Sequence, residues 1–203
     1  MLSQLVGAQK HNPQVKPASE NATAAAATEQ KAYEDLLLRV VNGFLSVLMT
    51  ESINATTSLP TDESLPDTLS NEVLASRIAP VLRRALPALR IASKWLLSNT
   101  NRLANASTLW VKYAHFASTL AARFPVASLP ALPVDCALEE NVDMVGFMPL
   151  HAMTARSLNL GEGGLAANHP NEEHLMRIAD LLTDAALLAA NSVSRNMKEP
   201  RSS

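Results

Sequence analysis

The chain has 203 residues, 47% of them hydrophobic and 18% charged, and a formal net charge of -2, the size and balance of one soluble domain with at most an appendage. Six glycines and 4% aromatic residues exclude collagen-like and propeller architectures, and no uninterrupted apolar run reaches the roughly 18 residues of a bilayer crossing, so no membrane partner is expected. Charge is placed unevenly: residues 1–69 carry four Lys/Arg against eight Asp/Glu, 70–134 eight against one, and 135–203 five against ten, which gives segments of -4, +7 and -5.

Residues 1–28 read as a flexible, disordered leader, because proline, polar residues and an alanine run alternate there without a periodic apolar face to offset ordering entropy. From about Gln30 to Glu51 the spacing of Tyr33, Leu36, Leu37, Val40, Val41, Phe44 and Leu48 predicts a helix, and the width of its stripe predicts packing on more than one neighbour. Ser52 to Ser70 reads as a loop. A second helical run, Asn71 to about Asn99, carries Leu74, Ile78, Val81, Leu82, Ala85, Leu89 and Leu96, with Ser70 as its cap and Glu72 in its first turn. Pro80 and Pro87 interrupt it, predicting either a kink or two shorter helices.

The third helix runs from about Ser107 to Arg123 with Leu109, Trp110, Tyr113, Phe116, Ala117 and Leu120, and Phe124-Pro125 ends it. A short turn, Ser98 to Asn105, joins it to the preceding run, the pattern of an antiparallel helical hairpin. Residues 125–169 form a long, proline-punctuated and irregular segment inside the domain, ending in the glycine-rich stretch around Gly161, Gly163 and Gly164. The last helix, about Pro170 to Asn196, has proline near its first turn, Glu172 and Glu173 close behind, and Leu175, Ile178, Leu181, Leu182, Ala185, Leu188 and Ala189 on one face. No alternating β pattern and no internal repeat is visible. The expected fold is therefore all-α, an irregular antiparallel hairpin array resembling an α-solenoid over residues 29–197, with 198–203 as a tail.

Few residues suggest chemistry. Cys136 is the single cysteine and has no local nucleophile signature; a packed structural thiol is the simpler reading. His169, Glu172, Glu173 and His174 cluster in sequence, but the two histidines are five apart and share no helical face, so no metal is expected. Glu139, Glu140 and Asp143 read as solvated loop charges. The glycines at 161–164 lack the Lys and the strand of a phosphate loop. No catalytic residue and no cofactor follow from these features.

The basic middle is more informative. Arg83, Arg90 and Lys94 recur at steps of seven and four and fall on one helical stripe, with Arg77 and Arg84 beside it. Such a stripe could meet nucleic-acid phosphates, or it could balance the acidic segments on either side of it. Trp95 and Trp110, flanking the hairpin turn, read as packing residues before base-stacking platforms.

One block is more specific. Leu138 to Leu150, preceded by the hairpin with Trp95-Leu96-Leu97 and Leu109-Trp110 and followed by a helix bearing Arg177-Ile178, resembles the Est-type DNA/RNA-binding domain of the ever-shorter-telomeres telomerase subunit and of the Smg nonsense-mediated mRNA decay factors. That family's pattern runs Leu-Pro-Glu-Asp, two variable residues, Leu-Arg-Gly-Phe, one variable residue, Pro-Leu. Leu138, Glu140, Gly146, Phe147, Pro149 and Leu150 match it. Glu139, Asn141, Met144 and Val145 depart from it, the last replacing the arginine.

The resemblance spans roughly Gln30 to Asn196. It implies a non-enzymatic helical scaffold of telomere maintenance or mRNA decay, nuclear or cytoplasmic, with protein partners in those machineries and DNA or RNA as a further ligand. The six matching residues would be structural, with the Phe147 ring anchored in the core. The family's amino-terminal 14-3-3-like domain and carboxy-terminal nuclease domain have no counterpart in these 203 residues, so a truncated or split gene product is expected. The alternative is a truncated orphan helical interaction module with no nucleic-acid role. Sequence sets no oligomeric state.

Overall fold

A computed structural model describes residues 18–59, 70–130, 138–144 and 169–196. The described residues contain helices and no strand: α1 Ala18–Thr57, α2 Asn71–Ser76, α3 Pro80–Ser98, α4 Ser107–Arg123, a 3-10 turn Val126–Ser128, α5 Glu139–Asp143 and α6 Pro170–Asn196. The protein is all-α, as its periodicity predicts. It divides into two compact units, Met1–Val40 and Val41–Ser203.

In the first unit α1 starts at Ala18, well before Gln30. The alanine run Ala24–Ala27 supplies the highest intrinsic helix propensity, so a helix forms without an apolar face; residues 1–17 of the expected leader lie outside the described ones. A second correction concerns burial. Tyr33, Leu36, Leu37 and Val40 are each more than half exposed, Tyr33 at 69%, where the sequence predicted a helix packed on several neighbours.

In the second unit α1 continues past Glu51 to Thr57. Its buried side chains there are Leu45, Met49, Ser52, Ile53 and Thr56, while Phe44 and Val47 are exposed. The Ser52 and Thr56 hydroxyls donate to the carbonyls of Leu48 (2.8 Å) and Ser52 (2.7 Å), so polar residues that suggested a loop are satisfied inside the helix. By length and composition alone Ala26–Thr57 is long and apolar enough to cross a membrane. Uninterrupted runs therefore do not exclude a crossing, because isolated polar residues such as Arg39 and Asn42 break a run while leaving the stretch apolar on average.

Of the two outcomes expected at Pro80 and Pro87, the structure has two helices. Ser70 caps α2, its Oγ accepting from the N–H of Val73. Pro80 stands at the start of α3, where its missing N–H costs nothing, and α3 runs on through Pro87. Arg83 spans the break: its guanidinium donates to the carbonyls of Ala75 and Ile78 and to the Asn171 side chain of α6, adding a second donor to the Ala75 carbonyl, which also accepts from the Ile78 N–H.

The turn after α3 is tight. Asn99 bonds back to Trp95 through backbone and side chain, and the Trp110 indole N–H donates to the Leu103 carbonyl at 2.9 Å. A 2.7 Å hydrogen bond joins the Ser93 and Tyr113 hydroxyls, tying α4 to α3. Helix α6 packs chiefly on α3 and also on α2 and α4. The core lies among these helices, with Leu74, Ile78, Leu82, Leu86, Leu89, Leu96, Phe116, Leu120, Phe124, Leu175, Ile178 and Leu181 buried.

Candidate functional site

The basic stripe and the family block meet in one place. Arg90 on α3, 3% exposed, places Nε 2.6 Å from Asp180 Oδ2 of α6 and Nη1 3.2 Å from Glu140 Oε1 of α5. Lys94, one turn on, reaches Asp180 Oδ1 and Asp184 Oδ1, both at 2.6 Å. Arg177 of α6, also buried, grips Glu140 from the other side: Nη2 lies 2.8 Å from Oε2 and Nε 3.0 Å from Oε1, with Glu173 at 3.4 Å from Nη1. Glu140 thus joins two guanidiniums from two helices.

Charges buried this deeply persist only when each is paired and hydrogen-bonded. Burial pushes the Glu140 carboxyl up, but the Arg177 hydrogen bonds and the charges of Arg177 and Arg90 outweigh it and hold the group below its usual range. Arg177 is likewise held above its ordinary value by Glu140 against the cost of burial. Asp184 goes the other way: burial raises it, and Lys94 offsets only part of that rise. Burial also pushes the Tyr113 hydroxyl up to about 12, so it remains a neutral partner of Ser93.

The three stripe residues are thus engaged inside the protein. Arg90 and Lys94 pair with acids, and Arg83 holds the break between α2 and α3. The -5 segment supplies every carboxylate in the cluster, Glu140, Glu173, Asp180 and Asp184. The remaining stripe cations differ: Arg84 is exposed on α3 and Arg77 partly so.

Of the family block, Leu138 is buried against Met176 of α6 and Glu140 anchors the ion cluster. Glu140 is therefore not the solvated loop charge the sequence suggested, whereas Glu139 and Asp143, on the same short helix, are exposed. Gly146, Phe147, Pro149 and Leu150, with Val145, lie outside the described residues, as does Cys136. Among the described residues no group of His, Cys, Asp and Glu is arranged to hold a metal. His169 is exposed and its Nδ1 accepts from the Asn171 N–H at the start of α6.

His174 is partly buried, with Nδ1 lacking a hydrogen-bond partner. Burial, then the charges of Arg177 and Arg83, hold its ring below the ordinary value of 6.5. The folded state therefore prefers the neutral ring while the unfolded chain takes up the proton more readily. Stability is expected to fall as the pH drops through about 6.5 and to stop falling below the folded-state value. His174→Gln should remove this component from denaturation midpoints measured between about pH 8 and 5; an unaltered profile would refute the assignment.

Sequence reasoning missed a second feature. A cavity of about 610 Å³ opens between α4 and the C-terminal half of α6, beside the hairpin turn, lined by Trp110, Tyr113, Ala114, Ala117, Ala185 and Leu188 among others. Among the described residues its lining carries no charged side chain. The alanine positions on the two helices were legible as stripe members, but not that their small size leaves a void where large residues would interdigitate.

The family model described as the Est1 DNA/RNA binding domain matches residues 1–153, which takes in the hairpin and the whole Leu138–Leu150 block and stops short of α6. No curated protein and no solved structure matches the chain.

Proposed function

The chain belongs to the Est1 DNA/RNA binding domain family, and from that premise we propose that it is a non-enzymatic helical scaffold that binds single-stranded nucleic acid and protein partners, in telomere maintenance or in nonsense-mediated mRNA decay, in the nucleus or the cytoplasm. The observation that carries the reading is the family match over most of the chain. The geometry shapes it further. Arg83, Arg90 and Lys94 are taken up by internal contacts, so phosphates would be met by exposed cations beside the stripe, Arg84 first and Arg77 next to it, and affinity would be modest.

The test is binding of labelled single-stranded RNA and DNA to the full chain across about 50 to 200 mM salt. Each phosphate contact to a single strand contributes a slope of about -0.7 in log affinity against log salt. Arg77→Glu with Arg84→Glu is expected to flatten that slope by about 1.4 while leaving the unfolding midpoint in place. An affinity no tighter than about 10⁻⁴ M at physiological salt removes nucleic acid from the proposal. The second reading, a helical protein-interaction module with no nucleic-acid role, then stands alone; the cavity beside Trp110, uncharged among its described lining residues, favours it.

A further inference from the structure

The ion cluster of α3, α5 and α6 is unevenly matched. Arg90, Lys94 and Arg177 bring three positive charges to it, and Glu140, Glu173, Asp180 and Asp184 bring four carboxylates. Glu140 joins two guanidiniums and Asp180 takes both Arg90 and Lys94, whereas Asp184 has only its share of the Lys94 ammonium. Asp184 is 1% exposed, and among the described residues its Oδ2 has no hydrogen-bond partner. A carboxylate held there keeps one oxygen away from both water and a donor, which is costly; a proton on that oxygen cancels the charge.

Asp184 is also where the docking of α6 ends. Among the described residues it is the last buried side chain of that helix, and residues 185–191 are all partly or fully exposed. Four of them, Ala185, Leu188, Ala189 and Asn191, line the cavity opposite Trp110 and Tyr113 of α4. The groups that face Asp184 are Lys94 and Ser93 of α3 and Asp180 of its own helix, with the neutral Tyr113 hydroxyl of α4 bonded to Ser93. Burial favours the protonated acid, the Lys94 charge opposes it, and the like charge of Asp180 adds to the effect of burial.

We propose that Asp184 is a proton-operated latch: as the neutral acid it holds the C-terminal half of α6 on α3, and its ionisation lets residues 185–191 move out and widens the cavity beside Trp110. The folded state binds this proton more tightly than the unfolded chain does. The contribution of Asp184 to docking is therefore complete below the ordinary value of 3.8 and is lost as the pH rises through the folded-state value. His174 and Glu140 act in the opposite sense, each losing its contribution as the pH falls, so the three groups are distinguishable. The inference is independent of nucleic-acid binding.

The test is nuclear magnetic resonance of the full chain, carbon-13 labelled at its aspartate carboxyls, from about pH 3.5 to 8, with Asp184→Asn identifying the resonance. The Asp184 carboxyl is expected to titrate above 3.8, and the amides of residues 185–191 to shift with the same midpoint. At about pH 8 those amides should exchange more slowly in Asp184→Asn than in the wild type, by about tenfold for each pH unit between that midpoint and 3.8. Lys94→Gln should move the midpoint further up, because the ammonium opposes burial, and Glu173→Gln, at the far end of the cluster, should leave it in place. If Asp184→Asn does not fold, Lys94→Gln carries the test. An Asp184 carboxyl that titrates at or below 3.8 overturns the proposal. So do amides of residues 185–191 that ignore its titration, a midpoint unmoved by Lys94→Gln, and equal exchange in the wild type and Asp184→Asn.

Discussion

Glu140→Gln is expected to lower the unfolding free energy by about 3 to 5 kcal/mol, the range seen when one partner of a buried ion pair is removed. The substitution keeps the shape and takes away the charge shared by Arg90 and Arg177. Asp180 still faces Arg90, but Arg177 is left with Glu173 at 3.4 Å, so most of the loss comes from the guanidinium of α6. Arg177→Met in the same background should recover part of it by removing the stranded cation. Urea unfolding followed by circular dichroism measures both; a midpoint unmoved by Glu140→Gln would show that α5 does not hold the helices together. The pH dependence follows the same linkage. Because Glu140 is held below its ordinary value, its contribution is complete well above that value of 4.5 and is lost as the pH falls through the folded-state value.

Phe124→Ala should cost a comparable amount, about 3 to 5 kcal/mol. Its ring is fully buried although the residue stands just past the end of α4, where its N–H still donates to the Leu120 carbonyl at 2.8 Å. Removing the ring opens a cavity at the point where the chain leaves the bundle, and Pro125 limits how far the backbone can close it. The measurement is the denaturant midpoint at unchanged m-value. A loss of less than about 1 kcal/mol would mean that neighbouring leucines collapse into the space.

Phe124 also shows what sequence could reveal and what it could not. Followed by proline, it reads correctly as the stop of a helix, yet the same position is a core anchor, because the chain turns inward there. The long helices were legible, since apolar residues at three and four residue steps have few other folds open to them, whereas the short α5, Glu139–Asp143, falls in a segment that read as irregular. The ends of α1 were not. At Ala18 propensity acts without amphipathicity, and at Ser52 and Thr56 hydroxyls that usually signal a turn bond instead to the preceding carbonyls.

The candidate site divides in the same way. Arg90 and Lys94 stand four apart on α3, and Asp180 and Asp184 stand four apart on α6. Either pair alone is ambiguous; together they are complementary rows that two adjacent helices can bring into register. Periodicity cannot say which helices are adjacent, so the stripe could be read as an outer face. The numbers of the bonded pairs, Arg83 with Asn171, Arg90 with Asp180 and Lys94 with Asp184, rise together, and α3 and α6 therefore run in the same direction. Glu140 was singled out by the family block, but its partners come from elements 50 and 37 residues away, beyond any local pattern.

Those separations have a consequence for the order in which the protein is made. The α3–α4 pair is complete in sequence before α6, the helix on which both pack, has been made. The carboxylates that neutralise its cations arrive later: Lys94 waits for a partner 90 positions further on, a delay of about 5 to 20 s at ordinary elongation rates. Until then the Asp180 and Asp184 carboxylates that pair with Arg90 and Lys94 in the folded protein are absent. Emergence of α6 supplies those carboxylates in cis and takes Arg90 into the interior, while Arg84 stays at the surface.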